Sequence, residues 1–225
     1  MINIQENIKQ IRFTIPNNVK LVCVSKFHTV EDILKAYECG ERLFGENRPQ
    51  ELVAKVPELP TDIQWQFIGN LQTNKVKYVV PNADLIHSVS SEKLLEEINK
   101  AAVKNQKIQK ILVELHVAKE ETKQGFTIEE AINLLTPEYI KNFSNLEFCG
   151  VMGMASLTDD KNIIRRDFQS IANTFKLLKT NTFTCNEAFK EISMGMSHDY
   201  EIAIEEGSTI VRIGTSIFGE RQYYK

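Results

Sequence analysis

Eight times along this chain a short apolar, β-branched run gives way to a segment with helical periodicity. The runs lie at 20–25, 42–44, 65–69, 84–89, 111–117, 146–153, 191–194 and 209–213. Continuous apolar runs are what parallel strands need when both faces are covered, and the intervening helices supply the crossovers. Eight such units in 225 residues predict α/β architecture: one (β/α)8 TIM barrel over residues 1–225, near the small end of that fold's range. An extra amphipathic N-terminal helix over 2–13 carries Ile4, Ile8 and Ile11 on one face. An open doubly wound sheet would need a Gly-x-Gly-x-x-Gly turn after the first strand, and there is none.

Local punctuation agrees with these boundaries. Thr29-Val30-Glu31-Asp32 and Thr127-Ile128-Glu129-Glu130 have capping-box spacing, and Ser91 stands where a helix start needs an acceptor. Gly40 suits a helix stop, and Pro49 falls in a first helical turn, where proline is tolerated.

The composition is that of an ordinary globular chain, 42% hydrophobic and 25% charged, with net charge −3. That balance argues against a nucleic-acid or anionic-membrane partner. Cys23, Cys39, Cys149 and Cys185 are far apart, with no Cys-x-x-Cys pair and no histidine at ligand spacing. No metal site or disulfide framework is expected, and a reducing compartment fits. The N-terminus lacks a basic region followed by an apolar core, and no run is long enough to span a bilayer. The expectation is a cytoplasmic protein.

The chemistry-bearing residues cluster at predicted strand ends. Lys26 ends the first strand, at the edge where barrels place their chemistry. A strand-end lysine either snorkels to water or, when desolvated, offers an amine for a Schiff base. Strand parity puts Val22 and Val24 inside the barrel below Lys26, with Leu21 and Cys23 facing the helices. The same parity turns Arg212 inward on the adjacent eighth strand, beside Ile210. Arg212 is either an ion-paired strand residue or a permanent donor to a ligand. Gly195-Met196-Ser197 and Gly214-Thr215-Ser216 follow strands seven and eight, the corner where this fold commonly grips phosphate. An amine, a phosphate cradle and an inward arginine suit an aldehyde-bearing phosphate: pyridoxal 5'-phosphate (PLP) or a sugar phosphate. Asn47, Asn70, His87 and His116 also stand near strand ends, where a structural role is the ordinary expectation. Segments 155–162 and 180–189 have the length and composition of elements that close over a pocket.

Val24-Ser25-Lys26, Phe44-Gly45-Glu46-Asn47, Phe67-Ile68-Gly69-x-Leu71-Gln72-x-Asn74-Lys75 and His87-Ser88-Val89 resemble the pyridoxal phosphate homeostasis protein family. So do Ser193-Met194-Gly195-Met196-Ser197 and the long run from Gly207 to Gly219. The resemblance implies a fold-type III barrel like the N-terminal domain of alanine racemase. It implies that Lys26 holds PLP as an internal aldimine and that Arg212 meets the pyridine nitrogen. Ser197, Gly214 and Thr215 would hold the phosphate, and Asn47 would line the ring. The chain departs from the family pattern at Asn70, at Phe27-His28 and at Val151 to Ala155, none of which is one of these site residues. Racemases of this fold add a second domain bearing a tyrosine base, which this sequence is not expected to have. The expected function is therefore non-catalytic intracellular PLP (vitamin B6) homeostasis, by a monomer that serves PLP-dependent apoenzymes. A small PLP-dependent amino-acid racemase or lyase is the alternative, and a cofactor-free Schiff-base aldolase is a weaker third.

Overall fold

The structure is a computed structural model that describes residues 3–118 and 124–220. The chain enters through α1 (Ile4–Thr14) and then alternates: β1 (Lys20–Val24), α2 (Val30–Glu38), β2 (Leu43–Glu46), α3 (Pro49–Lys55), β3 (Gln64–Phe67), α4 (Val76–Val79), β4 (Leu85–Val89) and α5 (Glu92–Lys104). It continues with β5 (Gln109–Leu115), α6 (Ile128–Leu134), α7 (Pro137–Ile140), β6 (Leu146–Gly153), α8 (Lys161–Asn181), β7 (Glu191–Ser193), α9 (Tyr200–Glu205), β8 (Ile210–Ile213) and α10 (Thr215–Phe218). The eight strands close into a parallel barrel in sequence order. β1 closes against β8, with Val22 opposite Arg212.

Two layers of packing follow from strand parity. Val22, Leu85, Leu112, Cys149, Met152 and Ile210 form a small cluster inside the barrel. Leu21, Cys23, Val211 and Ile213 belong to the larger layer between strands and helices. The inside–outside assignment made for β1 and β8 therefore holds. Ile4, Ile8 and Ile11 of α1 are buried in that outer layer. The Asn7 amide of α1 donates to the Ile217 carbonyl at 2.9 Å, tying the first helix to the last. Arg12 grips Glu41, which is 3% exposed.

Several local expectations shift. β5 begins and ends two residues earlier than its apolar run, because Gln109 and Lys110 still pair with β6. β2 runs on to Glu46, and α7 is an additional short helix. The Thr127–Glu130 capping box forms both of its bonds. At Thr29 only half a box forms: the Asp32 N–H donates to Thr29 Oγ1, while the Asp32 carboxylate takes Lys35 instead. The segment 180–189 leads into the start of β7, so it lies at the end of the barrel opposite the strand C-termini. There Phe183 and Phe189 stack at 4.0 Å in the core. It packs into the layer between strands and helices and does not cover the mouth. β6 carries a bulge at Gly150, where φ is +151° and a Cβ would stand 1.8 Å from the Glu191 carbonyl oxygen. Among the described residues no helix is long and apolar enough to cross a membrane.

Candidate functional site

At the C-terminal end of the strands one cavity of about 320 Å³ is lined by Lys26, Asn47, Ser197, Arg212, Gly214 and Thr215. These are the six residues singled out from the sequence. Val24, His28, Ile68, Met154, Met196, His198 and Gly219 complete its wall. His28 is fixed by stacking on Phe218 at 4.8 Å. Asn70, by contrast, points to solvent. A larger cavity of about 800 Å³ between the β4 and β5 loops holds none of the six, and its lining is rich in glutamate. Chemistry, not size, selects the smaller one.

Lys26 is held from both sides. The Ser25 carbonyl accepts from Lys55 Nζ at 2.9 Å, and the Phe27 N–H donates to Glu51 Oε2 at 2.7 Å. Lys55 also reaches Glu46 Oε1 at 2.7 Å and Glu51 Oε2 at 3.2 Å, so all three ammonium hydrogens are used. The Ser25 hydroxyl adds a bond to Glu46 Oε1 at 2.7 Å. Phe27 sits at φ 66°, a left-handed conformation that a non-glycine residue keeps only when its surroundings impose it. The Arg48 guanidinium caps its ring at 4.6 Å. Burial pushes the Glu46 carboxyl up to about 7, against the pull of Lys55 and of the Ser25 hydroxyl. This clamp was not found from the sequence. Its one visible signal was the i,i+4 spacing of Glu51 and Lys55 on α3.

Arg212 is 5% exposed and anchored by carbonyls. It donates to Ser193 O and Ser193 Oγ at 2.7 Å each, and to the Gly153 carbonyl at 3.1 Å. Its bond to Ser193 Oγ sets a chain of proton positions. The Ser193 hydroxyl is left to donate to His87 Nδ1 at 3.0 Å, and His87 Nε2–H then donates to Gln66 Oε1 at 3.0 Å. Burial first, and the Arg212 charge second, hold the His87 imidazole well below its usual range and therefore neutral. Burial also lowers the Arg212 guanidinium to about 10, which leaves it charged at neutral pH. His87 is thus a satisfied structural group, as expected.

The loops after β7 and β8 meet across the cavity. The Ser216 N–H faces Ser197 Oγ at 3.5 Å. Asp199, 2% exposed, accepts the Met196 N–H at 2.6 Å and so fixes the loop that carries Ser197. Asn47 Oδ1 is buried and has no hydrogen-bond partner among the described residues. A buried acceptor without a donor is costly in a finished core and ordinary in a ligand site. Gly69 packs against the Asn47 backbone so closely that a Cβ there would lie 2.2 Å from the Asn47 backbone carbonyl oxygen. Among the described residues no cluster of side chains could hold a metal ion.

One further acid faces the mouth. Glu114 lies on β5 two residues beyond Leu112, so parity turns it inward. It is 4% exposed, and burial pushes its carboxyl up to about 7, with Arg212 drawing it only partly back. A carboxyl that holds its proton more tightly when folded stabilises the fold at low pH, and that stability is lost as pH rises from about 4.5 through about 7. Glu114→Gln is therefore expected to raise stability at pH 8 by on the order of 3 kcal/mol and to change little at pH 4. Urea denaturation at the two pH values checks this. An equal effect at both would show that ionisation is not the cause.

Residues 1–222 match the family described as alanine racemase, N-terminal domain. The pyridoxal phosphate homeostasis protein of Aquifex aeolicus is 42% identical over 208 residues, spanning 92% of this chain and 89% of that protein. The human protein of the same name is 37% identical over 218 residues, spanning 92% of this chain and 78% of its own. Among solved structures, PipY of Synechococcus elongatus with PLP bound superposes with a TM-score of 0.85 at 31% identity, covering 96% of this chain and all of PipY. An alanine racemase of Clostridium difficile superposes with a TM-score of 0.77 at 15% identity, over 97% of this chain and 56% of the racemase, a likeness of fold alone. The chain belongs to the alanine racemase N-terminal domain family and, within it, to the pyridoxal phosphate homeostasis proteins.

Proposed function

We propose that this protein binds PLP through an imine to Lys26 and acts as a non-catalytic holder in intracellular PLP homeostasis. The observation that carries the reading is the convergence of Lys26, Asn47, Ser197, Arg212, Gly214 and Thr215 on one cavity of about 320 Å³. That volume lies in the range of small-ligand sites. The fit is chemical as well. Asn47 Oδ1 is an acceptor in want of a donor, Ser197 and Thr215 offer hydroxyls to a phosphate, and Gly214 lets the backbone approach it. When bound, PLP supplies an aldehyde that an amine captures reversibly, with a phosphate that anchors it.

The remaining chemistry belongs to the chain. The clamp of Lys55, Glu46 and Glu51 aims the Lys26 amine. Arg212 stays charged and faces the ring nitrogen in this reading, which disfavours a proton there. A ring that stays unprotonated is a weak electron sink, which argues for holding over amino-acid catalysis. The same reading makes the protein a cytoplasmic monomer whose clients are apoenzymes that need the cofactor.

A visible spectrum tests it. Protein mixed with PLP and passed through gel filtration is expected to retain an absorbance band near one equivalent, and Arg212→Ala to retain several-fold less. Colourless protein would overturn the reading, and equal retention by Arg212→Ala would overturn that residue's role. Release of α-deuterium from amino acids at enzymatic rates would replace the holder with a racemase or lyase.

A further inference from the structure

Beside the Lys26 cavity lies a second one of about 190 Å³. The two share Met154, Met196 and His198 in their walls, so they are neighbouring chambers of one mouth. The walls of the annex include Leu115, Val117, Ala118 and Ala155, and Glu114 is the carboxylate among its lining residues. Glu114 is 4% exposed, and among the described residues its carboxylate makes no hydrogen bond and no salt bridge, the charge of Arg212 acting on it only through space. Among the described residues, the charged and titratable groups that share its surroundings are Arg212 on β8, His116 just beyond β5 and His198 after β7. Arg212 directs its side-chain hydrogen bonds to Ser193 and Gly153. A buried carboxylate without a counter-ion or donor costs stability, and such a cost is tolerated where a ligand removes it.

We propose that the annex is a binding site for a small primary amine, whose ammonium group pairs with Glu114 while a short apolar tail lies against the aliphatic wall. The inference rests on the PLP reading for its purpose but not for its test. In the annex, where Glu114 is nearly buried, one proton passes from the ammonium to the Glu114 carboxylate. An N–H bond breaks and an O–H bond forms. The charges +1 and −1 become a neutral amine and a neutral carboxylic acid, which a low-dielectric chamber favours. An amine freed of its proton in a chamber that shares walls with the Lys26 cavity is the form that competes with Lys26 for an aldehyde. The annex would thus supply the acceptor that draws the cofactor off its lysine, leaving Glu114 as the proton store.

The test begins with PLP-free protein at pH 8, titrated with n-propylamine and followed by amide NMR shifts of the residues around Glu114, with propionate as the wrong-charge control. Saturable shifts with propylamine and none with propionate are expected. Glu114→Gln, which keeps the shape and removes the charge, is expected to weaken the affinity at least ten-fold. PLP-loaded protein is then expected to lose its absorbance band faster in propylamine, with a several-fold smaller acceleration in Glu114→Gln. Equal affinity in wild type and Glu114→Gln, or no saturable binding, overturns the annex even if the protein binds PLP. If no band forms with PLP, the holder reading fails, while the amine titration still decides the annex on its own.

Discussion

Replacing Lys55 with methionine is expected to cost the fold about 3–5 kcal/mol, the largest loss among single substitutions around the site. Lys55 is nearly buried, and its ammonium is shared among Glu46, Glu51 and the Ser25 carbonyl. Without it, Glu46, which is fully buried, loses its cation and keeps only the Ser25 hydroxyl. Glu46 Oε2 already lacks a partner among the described residues, so no spare donor stands ready. The loss is expected to be larger at pH 8 than at pH 5, because a stranded carboxylate can shed its charge only by taking up a proton. Lys55→Met combined with Glu46→Leu is expected to recover much of the stability, since apolar pairs often replace buried ion pairs at little cost. Urea denaturation of the three proteins measures this. A loss below about 1 kcal/mol in the single variant would show that the clamp is not built as described.

The second large effect is functional. Lys26→Ala is expected to abolish the retained absorbance band while leaving the denaturation midpoint nearly unchanged. The clamp binds the Ser25 and Phe27 backbone, which this substitution leaves in place. Lys55→Met should do the reverse in part: the amine remains, but the turn that aims it loosens, and retention falls along with stability. The contrast separates a residue that bonds the ligand from residues that position it.

Much of the site was legible in the sequence because barrels convert order into geometry. Lys26 and Arg212 could be placed in one mouth from parity and the adjacency of first and last strands, with no contact known. The loops carrying Ser197 and Gly214 could be placed because strands seven and eight come last. What was missed is charge buried away from strand ends. Glu46, Glu51 and Lys55 look like ordinary strand-end and helix-surface residues, and the default for such groups is exposure. Glu114 carries a parity signal, two positions past Leu112, but the apolar run extends two residues beyond the end of β5 at Leu115, and that hides its place near the strand end. The segment 180–189 shows the opposite error: composition suggested a cover, while topology assigns it to the other end of the barrel. Composition says little about which end of a barrel a loop occupies; the direction of the next strand does.

The central claim is that the amine of Lys26, held by its clamp, carries the ligand. Borohydride reduction of PLP-treated protein followed by peptide mass mapping tests it most directly. The account predicts one pyridoxyl-phosphate adduct, on the peptide containing Lys26, and none in Lys26→Ala. An adduct on Lys55 or scattered over surface lysines, with Lys26 unmodified, would contradict it.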